Sequence, residues 1–80
     1  MRGCDAVKQR ILQLAKQKQM AINKICTKGG ITTSTVNTML NGASEYCSVR
    51  TIMKICQGLE ISLFDFFNDE IFKNLEDELD

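Results

Sequence analysis

Gly30-Ile31-Thr32-Thr33-Ser34-Thr35-Val36-Asn37-Thr38-Met39-Leu40-Asn41-Gly42 reads as one short helix with both ends marked. Thr32 is a good N-cap, because its oxygen can accept one of the free amides of the first turn. Ile31 and Val36 then occupy the N′ and N4 positions of a hydrophobic staple, which sets the angle at which the chain enters the helix. Asn41-Gly42 ends it, so the pattern predicts a helix over residues 33–41. Val36, Met39 and Leu40 form its buried stripe, leaving Thr33, Ser34, Asn37, Thr38 and Asn41 outside.

That outer face is unfavourable on propensity grounds. Ser, Thr and Asn each cost a few tenths of a kcal/mol relative to Ala, and a surface helix with no task would carry Glu, Lys, Gln and Ala. Residues 29–44 hold no charge at all, although basic residues flank them. Short neutral hydrogen-bonding groups on an exposed helix, with positive charge around them, suit insertion into a DNA groove.

The flanking segments are helical as well. Val7, Ile11, Leu14 and Ala15 line one face of a helix over residues 5–18, with Lys8, Gln9, Gln13, Lys16 and Gln17 on the other. A short helix over 21–28 turns Ile22, Ile25 and Cys26 inward and stops at Gly29-Gly30. Beyond a loop over 43–48, a helix over 49–57 buries Ile52, Ile55 and Cys56, with Gly58 as its C-cap. Ser62 caps a fifth helix whose Leu63, Phe66 and Phe67 face inward. The fold class is therefore all-α.

Composition bounds the function. Eighty residues make one modest core, and the ten basic and ten acidic side chains sum to zero. The charges are segregated: residues 1–58 hold nine basic and two acidic side chains, net +7, and residues 59–80 hold one against eight, net −7. Asymmetry of this kind points to nucleic acid or to an acidic tail. No apolar run approaches membrane-spanning length, and Met1-Arg2-Gly3-Cys4-Asp5 does not read as a signal peptide, so a cytoplasmic location is expected. There is no histidine, no phosphate-binding glycine loop and no acid pair outside the solvated tail, so no enzyme, cofactor or small-molecule ligand is expected.

Cys4, Cys26, Cys47 and Cys56 lack the close pairs of a zinc site, so no metal is expected. A reducing compartment disfavours disulfides. Cys26 and Cys56 lie on apolar stripes and read as buried thiols, while Cys4 and Cys47 read as more exposed and open to crosslinking in air as an artefact.

Taken together, the run from Ala21 to Cys26, the segment Gly30-Ile31-Thr32-x-x-Thr35-Val36-x-x-Met39-Leu40-Asn41-Gly42, and the downstream Thr51-Ile52-x-x-Ile55-Cys56-x-Gly58-Leu59-x-Ile61-Ser62-Leu63-x-x-Phe66-Phe67 resemble the XRE family of Cro/lambda-repressor-like helix-turn-helix regulators. The resemblance covers residues 8–67. It implies a five-helix lambda-repressor-like DNA-binding domain over residues 1–67, followed by an acidic extension over 68–80, and a transcriptional regulator, expected to be a repressor. The helix over 33–41 would be the recognition helix in the major groove. Thr33, Ser34, Asn37 and Thr38 match the family's base-contacting or adjacent phosphate-contacting positions, and Asn41 lies on the same face. Asn37 suits a bidentate contact with adenine, and threonine methyls can pack on thymine methyls.

Two departures from the family pattern stand out. Ile22 replaces the polar residue often found at the start of the second helix, and the loop after Gly42 reads Ala43-Ser44-Glu45-Tyr46-Cys47 where relatives are often basic. Phosphate contacts are left to Arg10, Lys24, Lys28, Arg50 and Lys54, so weaker or more salt-sensitive binding is expected.

Family members commonly bind palindromic double-stranded DNA as symmetric dimers. Phe64, at a position that is usually polar, and the tail residues Ile71, Phe72, Leu75 and Leu79 are the candidate dimer contacts; the tail could equally fold back on its own domain. The competing expectation is a protein-interaction or antitoxin-like module on the same fold.

Overall fold

In the computed structural model, residues 3–41 and 47–73 are described. They form five α-helices and one 3-10 turn, with no strand among them: α1 Gly3–Gln17, α2 Ile22–Gly29, α3 Thr33–Leu40, α4 Val49–Leu59, α5 Leu63–Phe67 and the turn Glu70–Phe72. The all-α, five-helix expectation holds.

Local chemistry accounts for most boundaries. Thr32 caps α3, its Oγ1 accepting the Thr35 amide, and Ser48 and Ser62 cap α4 and α5 in the same way through the amides of Thr51 and Asp65. α2 ends on Gly30, whose φ of 72° lies in the left-handed region that glycine adopts without penalty. α4 behaves differently from expectation. It runs past Gly58 to Leu59, and its left-handed cap is Glu60, with φ 62°.

Gly58 has another task. α2 and α4 form the central helix pair, and their backbones approach closely where Gly29 faces Lys54 and Gly58 faces Ile25. A Cβ on Gly29 would overlap the Lys54 carbonyl oxygen, and one on Gly58 would overlap that of Ile25. Glycine is required at both positions for space, not for its φ.

The core lies where α1, α2, α3, α4 and α5 meet. Val7, Ile11, Leu14, Ile25, Cys26, Val36, Met39, Ile52, Ile55, Cys56, Leu59 and Phe66 are buried in one cluster. Ile31 packs partly buried against it, so both partners of the staple ahead of α3 touch the core. Phe67 departs from the inward expectation at 42% exposed, and Phe64 is 74% exposed.

Packing continues beyond α5. The 3-10 turn lies against α1, and the Phe72 ring packs tilted against two others, its centroid 4.9 Å from that of Phe67 and 6.1 Å from that of Phe66. Phe72 therefore packs half-buried against its own domain, the fold-back arrangement that the sequence left open for the tail. Ile71 is half-buried beside it, while Leu75 and Leu79 lie outside the described residues.

Arg10 ties this end together. It is 7% exposed: its Nε–H donates to the Phe66 carbonyl at 2.7 Å, and one terminal nitrogen donates to the Asp65 carbonyl at 2.9 Å. The other donates to Asp69 at 3.1 Å and to Gln13 at 2.9 Å. The guanidinium thus satisfies two carbonyls at the end of α5 and pairs with the carboxylate that caps the 3-10 turn.

Cys4 and Cys47 are joined by a disulfide, with their Cα atoms 5.8 Å apart. These are the two cysteines that the sequence left exposed and open to crosslinking, now brought together as a pair. Spacing and compartment say nothing about which residues the fold brings together, and here it places the first turn of α1 beside the residue preceding the α4 cap. Cys26 and Cys56 are free and buried, as their stripes implied, and burial pushes the Cys56 thiol up to about 11.

Candidate nucleic-acid interface

The three residues Gly30-Ile31-Thr32 connect α2 to α3. The turn is held by Ile31 N–H donating to the Cys26 carbonyl at 3.0 Å and by the capping bond from the Thr35 amide to Thr32 Oγ1. With Val36 and Met39 buried below, the opposite side of α3 faces outward.

Ser34, Asn37, Thr38 and Asn41 are all exposed, and their spacing of three, four and seven positions puts them on one face. Thr33 is half-buried at the start of the helix. Thr38 Oγ1 donates to the Ser34 carbonyl at 2.9 Å, which fixes its rotamer and turns its methyl away from the backbone bond. Thr35 Oγ1 lies 2.7 Å from Thr32 Oγ1 and is committed to the cap. The Asn37 side-chain amide has no hydrogen-bond partner among the described residues, so both its donor and its acceptor are open to a ligand. No charged side chain lies on α3.

The basic residues divide. Lys24 on α2 and Arg50 in the first turn of α4 are exposed, and Lys54 is half-buried. Lys28 Nζ lies 2.9 Å from the Glu60 carboxylate, with both side chains largely solvated. The Lys28 hydrogen bond and charge, with smaller contributions from Lys18 and Lys24, hold the Glu60 carboxyl below the usual carboxylate range. An exposed pair of this kind is readily exchanged, so Lys28 is attenuated rather than lost as a phosphate ligand.

Arg10 is removed from the interface. A phosphate contact needs an exposed guanidinium, and all the donors of Arg10 that make bonds point into its own domain. Its place on α1 carried the signal: Val7, Arg10, Ile11 and Leu14 are spaced as one inward stripe, and the arginine sits within it.

α2 starts without a capping side chain, because Ala21 occupies the N-cap. The loop residues Gly42 to Tyr46, including Ser44 and Glu45, lie outside the described residues. Among the described residues no cluster of three metal-ligating side chains occurs, and no helix is long and apolar enough to cross a membrane.

Two short helices joined by a tight turn, the second exposing a neutral hydrogen-bonding face and both braced by a five-helix body, define a helix-turn-helix DNA-binding domain. The chain belongs to the family of Cro/C1-type HTH DNA-binding domains, whose model matches residues 10–70. The crystal structure of the prophage Lp1 protein 11 is similar, with a TM-score of 0.80 and 33% identity, covering 94% of this chain and 100% of that one. Comparison with curated proteins gives no match. At the level of the family, the chain is a DNA-binding transcription regulator.

Proposed function

We propose that this protein is a sequence-specific repressor that binds a palindromic operator as a homodimer, each copy placing α3 in a major groove. The observation that carries the reading is the exposed, uncharged Ser34-Asn37-Thr38-Asn41 face of α3, with the exposed cations Lys24 and Arg50 on the helices before and after it. Repression requires only that the bound protein occupy DNA.

In this reading Asn37 pairs its amide with an adenine edge, and Thr33, Ser34 and Thr38 contact neighbouring bases or phosphates. Lys24, Arg50, Lys54 and, by exchange from Glu60, Lys28 neutralise phosphates. With no arginine on α3 to read guanine, the contacted positions lean to A·T. A selection of fragments from random DNA at low salt should enrich a palindrome with half-sites about one helical turn apart. No enrichment would sink the repressor reading in favour of a protein-interaction module. Asn37→Ala should relax the preference at one base position by roughly 1–3 kcal/mol, measured by competition between operator variants. Uniform weakening across all sequences would show that Asn37 reads no base.

The dimer surface is assigned to α5. Phe64 and Phe67 lie three positions apart and line a shallow apolar groove with Leu63 and Asn68. Two such grooves packed about a two-fold axis would bury the most exposed large apolar side chain described, Phe64. Phe64→Ser should sediment as a lighter species at micromolar concentration with its melting temperature nearly unchanged at the monomer limit. An unaltered dimer would move the interface elsewhere.

A further inference from the structure

We propose that Cys4 and Cys47 form a reversible thiol–disulfide switch that sets how firmly the start of α4, and with it the end of the recognition segment, is held to α1. The pair is selective by construction. Both members are half-exposed, whereas Cys26 is 1% and Cys56 3% exposed, so small reagents reach the first two and not the others.

Position gives the pair its leverage. Cys4 lies in the first turn of the fifteen-residue α1. Cys47 is followed at once by Ser48, whose Oγ accepts the Thr51 amide at 3.2 Å and starts α4. On its other side, five residues of chain lead back to Asn41, the C-cap of α3. The bridge therefore fastens the start of α4 to a helix 43 positions away in sequence. Closing a loop of that size restricts the unfolded chain and so favours the folded state.

The oxidant is a low-molecular-weight disulfide. The thiolate of one cysteine attacks it, forming a mixed disulfide and releasing one small thiolate. The second cysteine, as thiolate, then attacks the protein sulfur of that mixed disulfide, forming the Cys4–Cys47 bond and releasing the second small thiolate. Two protein thiols lose two electrons and two protons, and one small disulfide becomes two thiols. Excess small thiol reverses both steps.

The effect on DNA rests on the function proposed above; the switch itself does not. The full chain is equilibrated with oxidised glutathione or with excess dithiothreitol, and each form is freed of reagent. Native titration with a chromogenic thiol reagent should count no reactive thiol in the oxidised form and two in the reduced form, Cys26 and Cys56 reacting only on unfolding. Reduction should lower the melting temperature by about 10 °C, and reoxidation should restore it. Cys4→Ser and Cys47→Ser should both melt like the reduced form with or without oxidant, the remaining cysteine going no further than the mixed disulfide. Equal native thiol counts in the two forms, or equal melting temperatures, would overturn the switch. On DNA fragments enriched from the random library, the oxidised form should bind several-fold more tightly. Equal affinity with a shifted melting temperature would overturn the link to recognition. If no fragment is enriched, the repressor reading fails, and the thiol and thermal readouts still decide the switch.

Discussion

Gly58→Ala should lower stability by about 3 kcal/mol and shift the melting temperature down by more than 10 °C, enough to leave much of the chain unfolded at 37 °C. The added methyl would overlap the Ile25 carbonyl oxygen and lie 3.0 Å from its carbon and 3.1 Å from its Cγ2. Two of these three atoms are backbone of the neighbouring helix, so relief requires α2 and α4 to separate. Separation would loosen the burial of Ile25, Cys26, Ile55 and Leu59 together, because all four belong to the same cluster. A domain of this size holds only a few kcal/mol in reserve. Gly30→Ala is the control: nothing lies within 4 Å of its Cβ position, and only its φ of 72° opposes a side chain, at a cost of about 1 kcal/mol. Thermal melts followed by circular dichroism rank the two. Equal losses would mean that the helix crossing tolerates a methyl.

Arg10→Ala should cost about 2–4 kcal/mol, through lost hydrogen bonds rather than lost DNA contact. Removal of the guanidinium leaves the Phe66 and Asp65 carbonyls without its donors and the Asp69 carboxylate without its counter-charge. The Asp69 side chain is 27% exposed and recovers part of its hydration, which places the loss below that of a fully buried pair. Arg10→Lys should not rescue, because an ammonium cannot reach two carbonyls and a carboxylate with the fork that the guanidinium provides. Below the unfolding temperature, the variant should select the same DNA with the same salt dependence. A normal melting temperature combined with a shallower salt slope would return Arg10 to the phosphate-binding set.

These two positions show what kind of reading a sequence supports. The stripe was read as Val7, Ile11, Leu14 and Ala15, and charge accounting assigned Arg10 to DNA although its position falls within that stripe. Gly58 stood where a helix C-cap is expected, and the helix instead ran one residue further to a left-handed glutamate. In both cases the deciding contact belongs to a different helix. The neutral face of α3, by contrast, followed from residues 30–42 with no such help, since its cap, its staple and its buried stripe are all local.

The charge segregation is resolved in the same way. The basic body and acidic end sum to zero, but Asp69 reaches back to Arg10 over 59 positions and Glu60 to Lys28 over 32. Asp69 thus neutralises Arg10 and Glu60 attenuates Lys28, while Lys24 and Arg50 stay exposed outside both pairs.

Five helices, the Thr32 and Ser62 caps, the glycine stop after α2 and an uncharged outward face on α3 were legible because each depends on residues within about seven positions of one another, the range over which helical periodicity and capping act. The arginine clasp, the glycine crossing, the Lys28–Glu60 pair, the Phe72 fold-back and the Cys4–Cys47 bridge came only from the assembled molecule. Each joins groups from different helices or their ends, and which distant groups meet is set by packing geometry that no local pattern encodes.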